Sequence, residues 1–302
     1  MTMSATQNQL MPKGQPIAIV SGYGSLPTEI ALGAIAAGST PFMVGIEGEA
    51  EPSIEQFDHR YMNLGQLGAL FKLLKQKNIR HIVMAGGVHA RPEVFSLKLD
   101  WGAILSIPRV LAISLGGDNN LLSGLIKLFE DHNIAVLGAH QVAPQLLAGK
   151  DVICGRKPTA KEIHNIELAA AACMALGKLD IGQAAVAEAK RVVAVEGVEG
   201  TDGLLQRIVD LRTNGRMPEK GKQGVLVKLM KPGQDHRADM PAIGPQTILS
   251  VKNSGLNGIA VDANKSLILQ REETLKMAKE NAVFIYGFDS ELFAAKTQQA
   301  TP

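Results

Sequence analysis

The chain has 302 residues, of which 46% are hydrophobic and 20% are charged, and its formal net charge is +2. A chain of this length is longer than a single hydrophobic core usually supports, so we predict two domains. The composition is that of a folded protein rather than a disordered one. The nearly balanced charge, with no run of Lys and Arg beside aromatic residues, argues against a nucleic-acid-binding protein. No stretch is apolar over the length that a membrane-spanning helix needs.

Glycine is abundant, with 31 residues, whereas aromatic residues make up 4% of the chain. This balance favours an α/β protein with many tight turns between strands and helices. The two cysteines, Cys154 and Cys173, lack the spacing of metal ligands, so we expect buried thiols in a reducing cytoplasm. Residues 1–15 are polar and lack the apolar centre of a signal peptide, and we expect a disordered extension there.

The first half begins with the pattern of a Rossmann-like domain. The apolar run IAIVS, residues 17–21, ends at GYGSLP, and a helical pattern follows to Ala37. Gly22 and Gly24 would let backbone N–H groups approach a phosphate at the start of that helix. The dinucleotide-binding fingerprint is incomplete because Pro27 stands where the third glycine would be. A tight turn without a ligand is the alternative interpretation.

Strand and helix patterns alternate through residues 16–143, which predicts a domain with a mainly parallel sheet. Ligands of such sheets bind beyond the carboxyl ends of the strands. We therefore predict that residues following the strands line one crevice. These predicted substrate-binding residues are Gly22, Gly24, Ser25, Gly86, Gly87 and His140.

An apolar segment lies between the strand that ends near residue 85 and the helix that begins near residue 121. It carries Trp101 and a series of Ile, Leu and Val residues that continues to Ile113. Two interpretations stay open, a packed core or an apolar surface for a lipid tail or a membrane edge. The apolar excess also leaves room for a homodimer.

Residues 144–302 are predicted to form a second, smaller α/β domain with a mixed sheet. Within it, Glu196, Glu199 and Asp202 crowd into one short glycine-rich turn. Like charges at this spacing need a cation or a hydrogen-bond donor nearby to stay ionised.

Three groups would meet that need, namely Lys228, Arg237 and Mg²⁺. Thr201 and Asp202 are also well placed to cap the helix that follows the turn, which is a purely structural role.

Residues 228–244, KLMKPGQDHRADMPAIG, form a polar loop after an apolar strand, because their prolines and glycines exclude regular structure. The loop carries Asp235 and Asp239 beside Lys231 and Arg237. Acids next to cations suit a divalent metal ion or a phosphate-bearing substrate, and a solvated turn whose charges pair is the alternative. Since both halves place such turns at strand ends, we expect the active site in the cleft between the two domains.

Several segments carry a resemblance to a known family. In the second half they are LGKLDIGQAAV, AVEGVEGTDGLLQR, VLVKLMKPGQDHRADMPAIGPQTI and GLNGIAV, and in the first half they include GYGSLP, AGGVHARP and GAHQVAP. Together they resemble the UDP-2,3-diacylglucosamine pyrophosphatases of lipid A biosynthesis, in the two-domain type rather than the metallophosphoesterase type. The resemblance covers residues 16–288.

This resemblance implies an Mg²⁺-dependent hydrolase of bacterial lipopolysaccharide synthesis. Its ligands would be UDP-2,3-diacylglucosamine, bound between the two domains, and the products UMP and lipid X. The resemblance places the essential aspartate of the QDxRxDxP motif at Asp239. It also implies a cytoplasmic protein, and a diacylated substrate favours transient contact with the inner membrane.

The chemistry of a pyrophosphate suits these residues. Its negative charges repel a nucleophile, so an enzyme must neutralise them and align a water molecule. We hypothesise that Asp239 holds Mg²⁺ or positions the water, with Asp202 as a second metal ligand. The predicted substrate contacts in the second half are Gln183, Thr201, Lys228 and Arg237, and the glycine turns of the first half would contribute backbone donors.

Two other functions remain as alternatives. An NAD-dependent oxidoreductase would explain the strand–glycine–helix pattern, but Pro27 and the acidic turns argue against it. A nucleotide-sugar or lipid binding protein without catalysis would use the same cleft. The acids beside the cations favour an enzyme, because a binder of phosphate has little need of them.

Overall fold

The structure is a computed structural model that describes residues 13–88, 118–218, 224–237, 239–291 and 293. Most of the predicted N-terminal extension and the apolar segment around Trp101 lie outside the described residues. Contacts divide the chain into two units, Met1–Gln145 with Asp235–Asp239, and Leu146–Gln234 with Met240–Pro302. Sequence patterning assigned all of residues 144–302 to one domain and gave no indication that Asp235–Asp239 group with the first unit.

The described part of the first unit contains a parallel five-stranded sheet in the order 3-2-1-4-5. Its strands are β1 Ile17–Ser21, β2 Pro41–Ile46, β3 His59–Met62, β4 His81–Ala85 and β5 Ala135–Leu137. Its helices are α1 Leu26–Ala36, α2 Leu67–Gln76, α3 Asp118–Asp131 and α4 Ala139–Val142, with 3-10 turns at Pro52–Gln56 and Pro144–Leu146.

Burial explains why these runs form strands. All six residues of β2 are buried, as are four of the five in β1, which is expected for parallel strands covered on both faces. The sheet order reverses between β1 and β4, so the carboxyl ends of these two strands flank the crevice where ligands of such sheets bind. Gly22 and Gly86 immediately follow these two strands.

The second unit has a mixed six-stranded sheet in the order 6-13-11-9-7-8 and a separate parallel pair, 10-12, within the described residues. The strands are β6 Asp151–Cys154, β7 Ala184–Glu188, β8 Arg191–Val195, β9 Val225–Lys228, β10 Ala242–Ile243, β11 Gly258–Asp262, β12 Leu267–Ile268 and β13 Phe284–Phe288. The helices are α5 Ala160–Gly177, α6 Gly200–Thr213, α7 Pro245–Asn253 and α8 Arg271–Glu280.

This architecture confirms the prediction of two α/β domains, one with a parallel sheet and one with a mixed sheet. In the second sheet, β9, β11 and β13 are parallel, whereas β6, β7 and β8 pair antiparallel. The second unit was expected to be the smaller, yet its main sheet has one strand more than the sheet described in the first unit. None of the described helices has the length and apolar character needed to cross a membrane.

Alternating small residues let α5 approach the second sheet closely. Ala185 and Ala187 on β7 pack in one cluster with Ala169, Ala170 and Cys173 of α5, while Val186 faces the cluster on the opposite side of the sheet. Cys173 and Cys154 are free and buried, as the sequence predicted, and burial raises the pKa of the Cys173 thiol, so the thiol stays protonated.

A buried carboxylate fixes the start of α5. Thr159 caps this helix, and Glu162, whose side chain is fully buried, accepts hydrogen bonds from the Thr159 backbone, from both Nη atoms of Arg156 and from Asn257. Burial alone would raise the pKa of Glu162, but these hydrogen bonds outweigh it and lower the pKa to about 2. The ionised form is therefore the one that the fold stabilises.

We predict that Glu162→Gln lowers the free energy of unfolding by about 2–4 kcal/mol at pH 7, because it removes the charge of a fully buried carboxylate that is paired with the half-exposed Arg156 and weakens the bonds at the start of α5. The pKa of Glu162 is lower in the folded state than in the unfolded state, so its contribution is present at neutral pH and is lost as the pH falls from about 4.5 towards 2. The difference between wild type and variant in urea unfolding should therefore shrink with acidification.

The matched control for this experiment is Glu167→Gln on the same helix, whose side chain is half-exposed. We expect this change to stay within about 0.5 kcal/mol. Equal losses in the two variants would contradict the role given to Glu162.

Candidate active site

The glycine turns after β1 and β4 are bonded to each other. The Gly22 N–H donates to the Ala85 carbonyl at 2.9 Å, the Tyr23 N–H donates to the Gly87 carbonyl at 2.9 Å, and the Gly87 N–H donates to the Tyr23 carbonyl at 3.0 Å. These bonds extend the pairing of the two strands into their turns. The two predicted segments are thus brought together at the sheet edge, as the fold-level argument requires.

The glycines are needed because the two backbones approach closely. A Cβ on Gly22 would overlap the Gly87 carbonyl oxygen, and a Cβ on Gly87 would overlap the Tyr23 ring. The backbone donors of Gly22 and Gly87 are used within the protein, which corrects the prediction that they are offered to a ligand. Gly24, in the same turn as Gly22, differs from it, because Gly24 is exposed and a Cβ there would meet no atom within 4 Å.

The other predicted residues of the two turns have structural roles of their own. Gly24 has a φ of +97°, a conformation that favours glycine. Ser25 precedes α1 and donates its hydroxyl proton to Glu29 at 2.7 Å, so the hydroxyl supports the first turn of the helix. Gly86 has a φ of +85° and lies against the Tyr23 carbonyl oxygen.

We predict that Gly22→Ala destabilises the protein by about 1–3 kcal/mol, the usual cost of forcing extra volume into a packed site. The added methyl group must separate the ends of β1 and β4 and break the bonds between their turns. Urea unfolding measures this cost.

Gly149→Ala is the control, because a Cβ there would meet no atom within 4 Å. We expect it to change stability by less than about 0.5 kcal/mol. A Gly22→Ala protein as stable as the control would show that the turns tolerate separation.

His140 lies on the short helix α4, directly after β5. The Gly138 N–H donates to the Gln141 side chain at 2.7 Å, which fixes the turn that carries His140. The His140 ring is 6.2 Å from the His236 ring between centroids, at an interplanar angle of 67°. The structure therefore places His140 beside Asp235–Asp239, within the same unit.

A fork of hydrogen bonds holds that five-residue segment. The Arg237 side chain donates from Nε and Nη2 to Asp235, at 2.8–3.2 Å, and from Nη1 to Glu130 of α3 at 2.7 Å. Burial acts to raise the pKa of Asp235, but its bonds to Arg237 outweigh burial and lower it, while the same bonds raise the pKa of Arg237. Both groups are therefore charged at neutral pH.

This arrangement corrects the role expected for Arg237. Its guanidinium is bound to two carboxylates of the first unit, so it holds the loop rather than standing open to a phosphate or neutralising the Glu196 turn. Asp239 follows two residues later, is half-buried, and donates its N–H to the Asp235 carbonyl at 3.3 Å. The loop that carries Asp239 is thus fixed by bonds within the loop and by the bond from Arg237 to Glu130.

In the second unit, Glu196 gathers two of the predicted substrate-binding residues. Its carboxylate accepts the Thr201 hydroxyl at 2.7 Å and the Gln183 backbone N–H at 2.8 Å. The second acid of the turn, Glu199, has a partner too, because it forms an ion pair with Arg207 at 2.9 Å. The expected partners, Lys228 and Arg237, are not the ones found.

Helix α6 begins earlier than predicted. Glu199 is its N-cap and the helix runs from Gly200, so Thr201 and Asp202 lie in its first turn and neither caps it. Asp202 accepts a long hydrogen bond, 3.5 Å, from the Ser250 hydroxyl. A hydroxyl carries a single proton, and Thr201 donates it to Glu196, so Thr201 has only its oxygen lone pairs and backbone N–H for a ligand.

Lys228 and Gln183 adjoin at the same edge of the second sheet. Lys228 ends β9 and pairs with Ala184, the residue after Gln183, and the Leu229 N–H donates to the Gln183 carbonyl at 2.9 Å. The Lys228 ammonium donates to the Ala242 carbonyl at 3.0 Å, which closes the base of the loop. Within the described residues, the buried Gln183 Oε1 has no hydrogen-bond partner.

Sequence reasoning missed Asp262, a buried carboxylate at the carboxyl end of β11. Its neighbour Val261 pairs with Lys228, so it lies at the same edge as the predicted residues. Burial raises the pKa of Asp262, although the Ser290 hydroxyl donates to it at 2.7 Å. An acid at the end of an apolar strand, GIAVD, was the available signal.

No group of three or more His, Cys, Asp or Glu side chains in the described part of the chain could together hold a metal ion. The predicted metal ligands are divided, since Asp239 belongs to the first unit and Asp202 to the second. Either carboxylate alone would suit Mg²⁺ that arrives with a substrate, because Mg²⁺ is commonly bound by one or two carboxylates together with phosphate oxygens and water. This donor set does not suit an all-protein metal cage.

Comparison with known proteins assigns the chain to a family. Two family models match, the LpxI N-terminal domain over residues 16–146 and the LpxI C-terminal domain over residues 149–286. UDP-2,3-diacylglucosamine pyrophosphatase LpxI from Caulobacter vibrioides is 31% identical over 275 residues, which cover 91% of this chain and 98% of that protein. The chain belongs to the LpxI family.

Two solved structures show low similarity to this LpxI-family chain. A UDP-glucose 4-epimerase from Bifidobacterium longum, in complex with NAD⁺ and UDP, is 14% identical with a TM-score of 0.25 and covers 39% of this chain and 34% of its own. A GalE-like L-threonine dehydrogenase from Cupriavidus necator is 11% identical with a TM-score of 0.27 and covers 94% and 88%. Neither carries an argument about function.

Proposed function

We propose that this protein hydrolyses the pyrophosphate bond of UDP-2,3-diacylglucosamine to give UMP and 2,3-diacylglucosamine 1-phosphate, lipid X, in lipid A biosynthesis. The observation that carries the proposal is the relationship to the LpxI family over both domains. The side chains at the sheet edges are compatible with this chemistry, because they include a cation, acids and hydrogen-bond donors for a charged diphosphate.

The residues divide the work by chemical type. Lys228, whose ammonium carries three protons, contacts phosphate oxygens, and Gln183 and the Thr201 backbone contribute hydrogen bonds. Asp239 supplies the carboxylate that holds Mg²⁺ or positions the water at the reacting phosphorus. Arg237 holds the loop that carries Asp239 through Asp235 and Glu130.

Mg²⁺ is part of the proposal as a cofactor. Asp239 would hold it together with phosphate oxygens of the substrate, with Asp202 as a second ligand, and the ion would supply neutralisation of charge on the transferring phosphoryl group. The half-buried position of Asp239 on a loop fixed by ion pairs supports this assignment, since a metal ligand must be held in place before the ion binds.

The partners follow from the substrate. A lipid with two acyl chains resides in a bilayer, so we propose a cytoplasmic protein that contacts the inner membrane transiently to take up substrate and release lipid X. A homodimer stays a prediction, because the apolar segment that suggested it lies outside the described residues.

The proposed activity is tested by incubating the purified protein with UDP-2,3-diacylglucosamine and measuring UMP. We expect UMP release that EDTA abolishes and added Mg²⁺ restores. Binding of the substrate without UMP release would favour the alternative of a non-catalytic nucleotide-sugar or lipid binding protein.

We predict that Asp239→Asn lowers kcat by at least about 100-fold, because the change keeps the shape of the side chain and removes its charge. Circular dichroism and urea unfolding should show an intact fold. Asp210→Asn, at an exposed position of α6, is the matched control and should retain wild-type activity. Activity of Asp239→Asn within about tenfold of wild type, roughly 1.4 kcal/mol of barrier, would exclude the role given to Asp239.

A further inference from the structure

His140 is held rigidly at the carboxyl edge of the parallel sheet. It lies three residues after the end of β5, and the capping bond between Gly138 and Gln141 fixes the turn on both sides of it. Gly138 leaves the space that the ring fills, because a Cβ there would be 2.5 Å from His140 Cε1 and 3.0 Å from the His236 carbonyl oxygen. The ring position is therefore determined by packing.

His140 Nδ1 is buried and has no hydrogen-bond partner within the described residues. Leaving a buried polar atom unpaired is unfavourable, so such an atom calls for an explanation. Other described histidines use the same atom on the backbone, since His132 Nδ1 contacts the Leu128 carbonyl at 2.8 Å and His59 Nδ1 the Phe57 carbonyl at 2.9 Å.

One other histidine shares the unpaired state but not the location. His81 Nδ1 is also buried without a partner, yet His81 is the first residue of β4, at the opposite edge of the sheet from the ligand-binding crevice. His140 combines an unpaired nitrogen with a position at the carboxyl edge and beside the segment that carries Asp239.

The charges around His140 favour its neutral form. Burial lowers the pKa of the imidazole, the nearby His236 lowers it further, and Asp235 opposes them. Asp235 is itself paired with Arg237, and Glu29, the one charged residue of the adjacent α1, accepts the Ser25 hydroxyl. A neutral imidazole at pH 7 is able to accept a proton.

We propose that His140 is the general base that takes a proton from the water attacking the pyrophosphate. In this step the water oxygen forms a bond to phosphorus, the bond from phosphorus to the bridging oxygen breaks, and its electron pair leaves with the departing phosphate. The water proton moves to Nε2 of the His140 imidazole, because Nδ1 is buried against the turn, and then to solvent. The inference rests on the proposed hydrolysis, in which Asp239 acts on the phosphoryl group and His140 on the water.

The test is the pH dependence of UMP release by wild type and His140→Gln. Glutamine keeps hydrogen-bonding capacity but does not titrate in this range. We expect kcat to fall by about 10²–10⁴-fold with KM little changed, and the loss of activity at acid pH seen in wild type to disappear. His164→Gln, at a half-exposed position of α5, is the matched control and should behave as wild type.

A second variant tests the electrostatic environment. His236→Gln removes an imidazole whose charged form disfavours protonation of His140, so the pKa of His140 should rise and the acid limb of the pH profile should move to higher pH. A purely structural role for His140 would not produce this coupled shift.

The outcomes separate the inference from the proposed function. Absence of UMP release by wild type would overturn both, whereas wild-type turnover with a His140→Gln kcat within about twofold, or with an unchanged acid limb, would overturn only the inference. If His140→Gln does not fold, NMR of ¹⁵N-labelled histidine in wild type decides. The His140 imidazole must titrate at the pH of the acid limb of kcat/KM, and a mismatch would overturn the role.

Discussion

The candidate site depends on the ion pairs of Arg237. The described residues of the segment 232–239 have no regular secondary structure, so no ladder of backbone bonds fixes them. Arg237 replaces that ladder by joining Asp235 to Glu130, a residue 107 positions earlier in the chain. Arginine suits this purpose because its planar guanidinium group binds carboxylates in a defined geometry. Asp239 follows Arg237 by two residues, so these ion pairs also fix the position of Asp239.

Much of the fold could be predicted because local pattern and tertiary environment agree. The runs IAIVS and GIAVD are short and mostly apolar, and both form buried strands that pair in parallel with their two neighbours. The start of α6 was harder to locate. A glycine at position 200 is typical of a turn, and its φ is +72°, yet it begins the helix. The N-cap residue Glu199 makes no capping bond with its side chain, which pairs instead with Arg207 two turns further along the same helix.

The identities of the candidate residues could be predicted better than their partners. Gly22 and Gly87 were recognised as close-approach positions, but the approach is between the two turns themselves. Arg237 was recognised as a cation of the loop, but sequence could not show that Glu130 would bind it. Such partners are far apart along the chain, and a pattern in one segment contains no information about which distant charge the fold places beside it.

The polar groups of the second unit are arranged before any ligand binds. Glu196 is buried and takes no part in the proposed chemistry, yet it accepts both the Thr201 hydroxyl and the Gln183 N–H. These bonds hold the start of α6 against the start of β7, next to Lys228 at the end of β9. Groups fixed in this way need little reorganisation when charge develops on a bound phosphate, and this is the physical basis of electrostatic catalysis. The sequence suggested that Glu196 needs a cation nearby, whereas in the structure Glu196 orients Thr201 and Gln183 through hydrogen bonds.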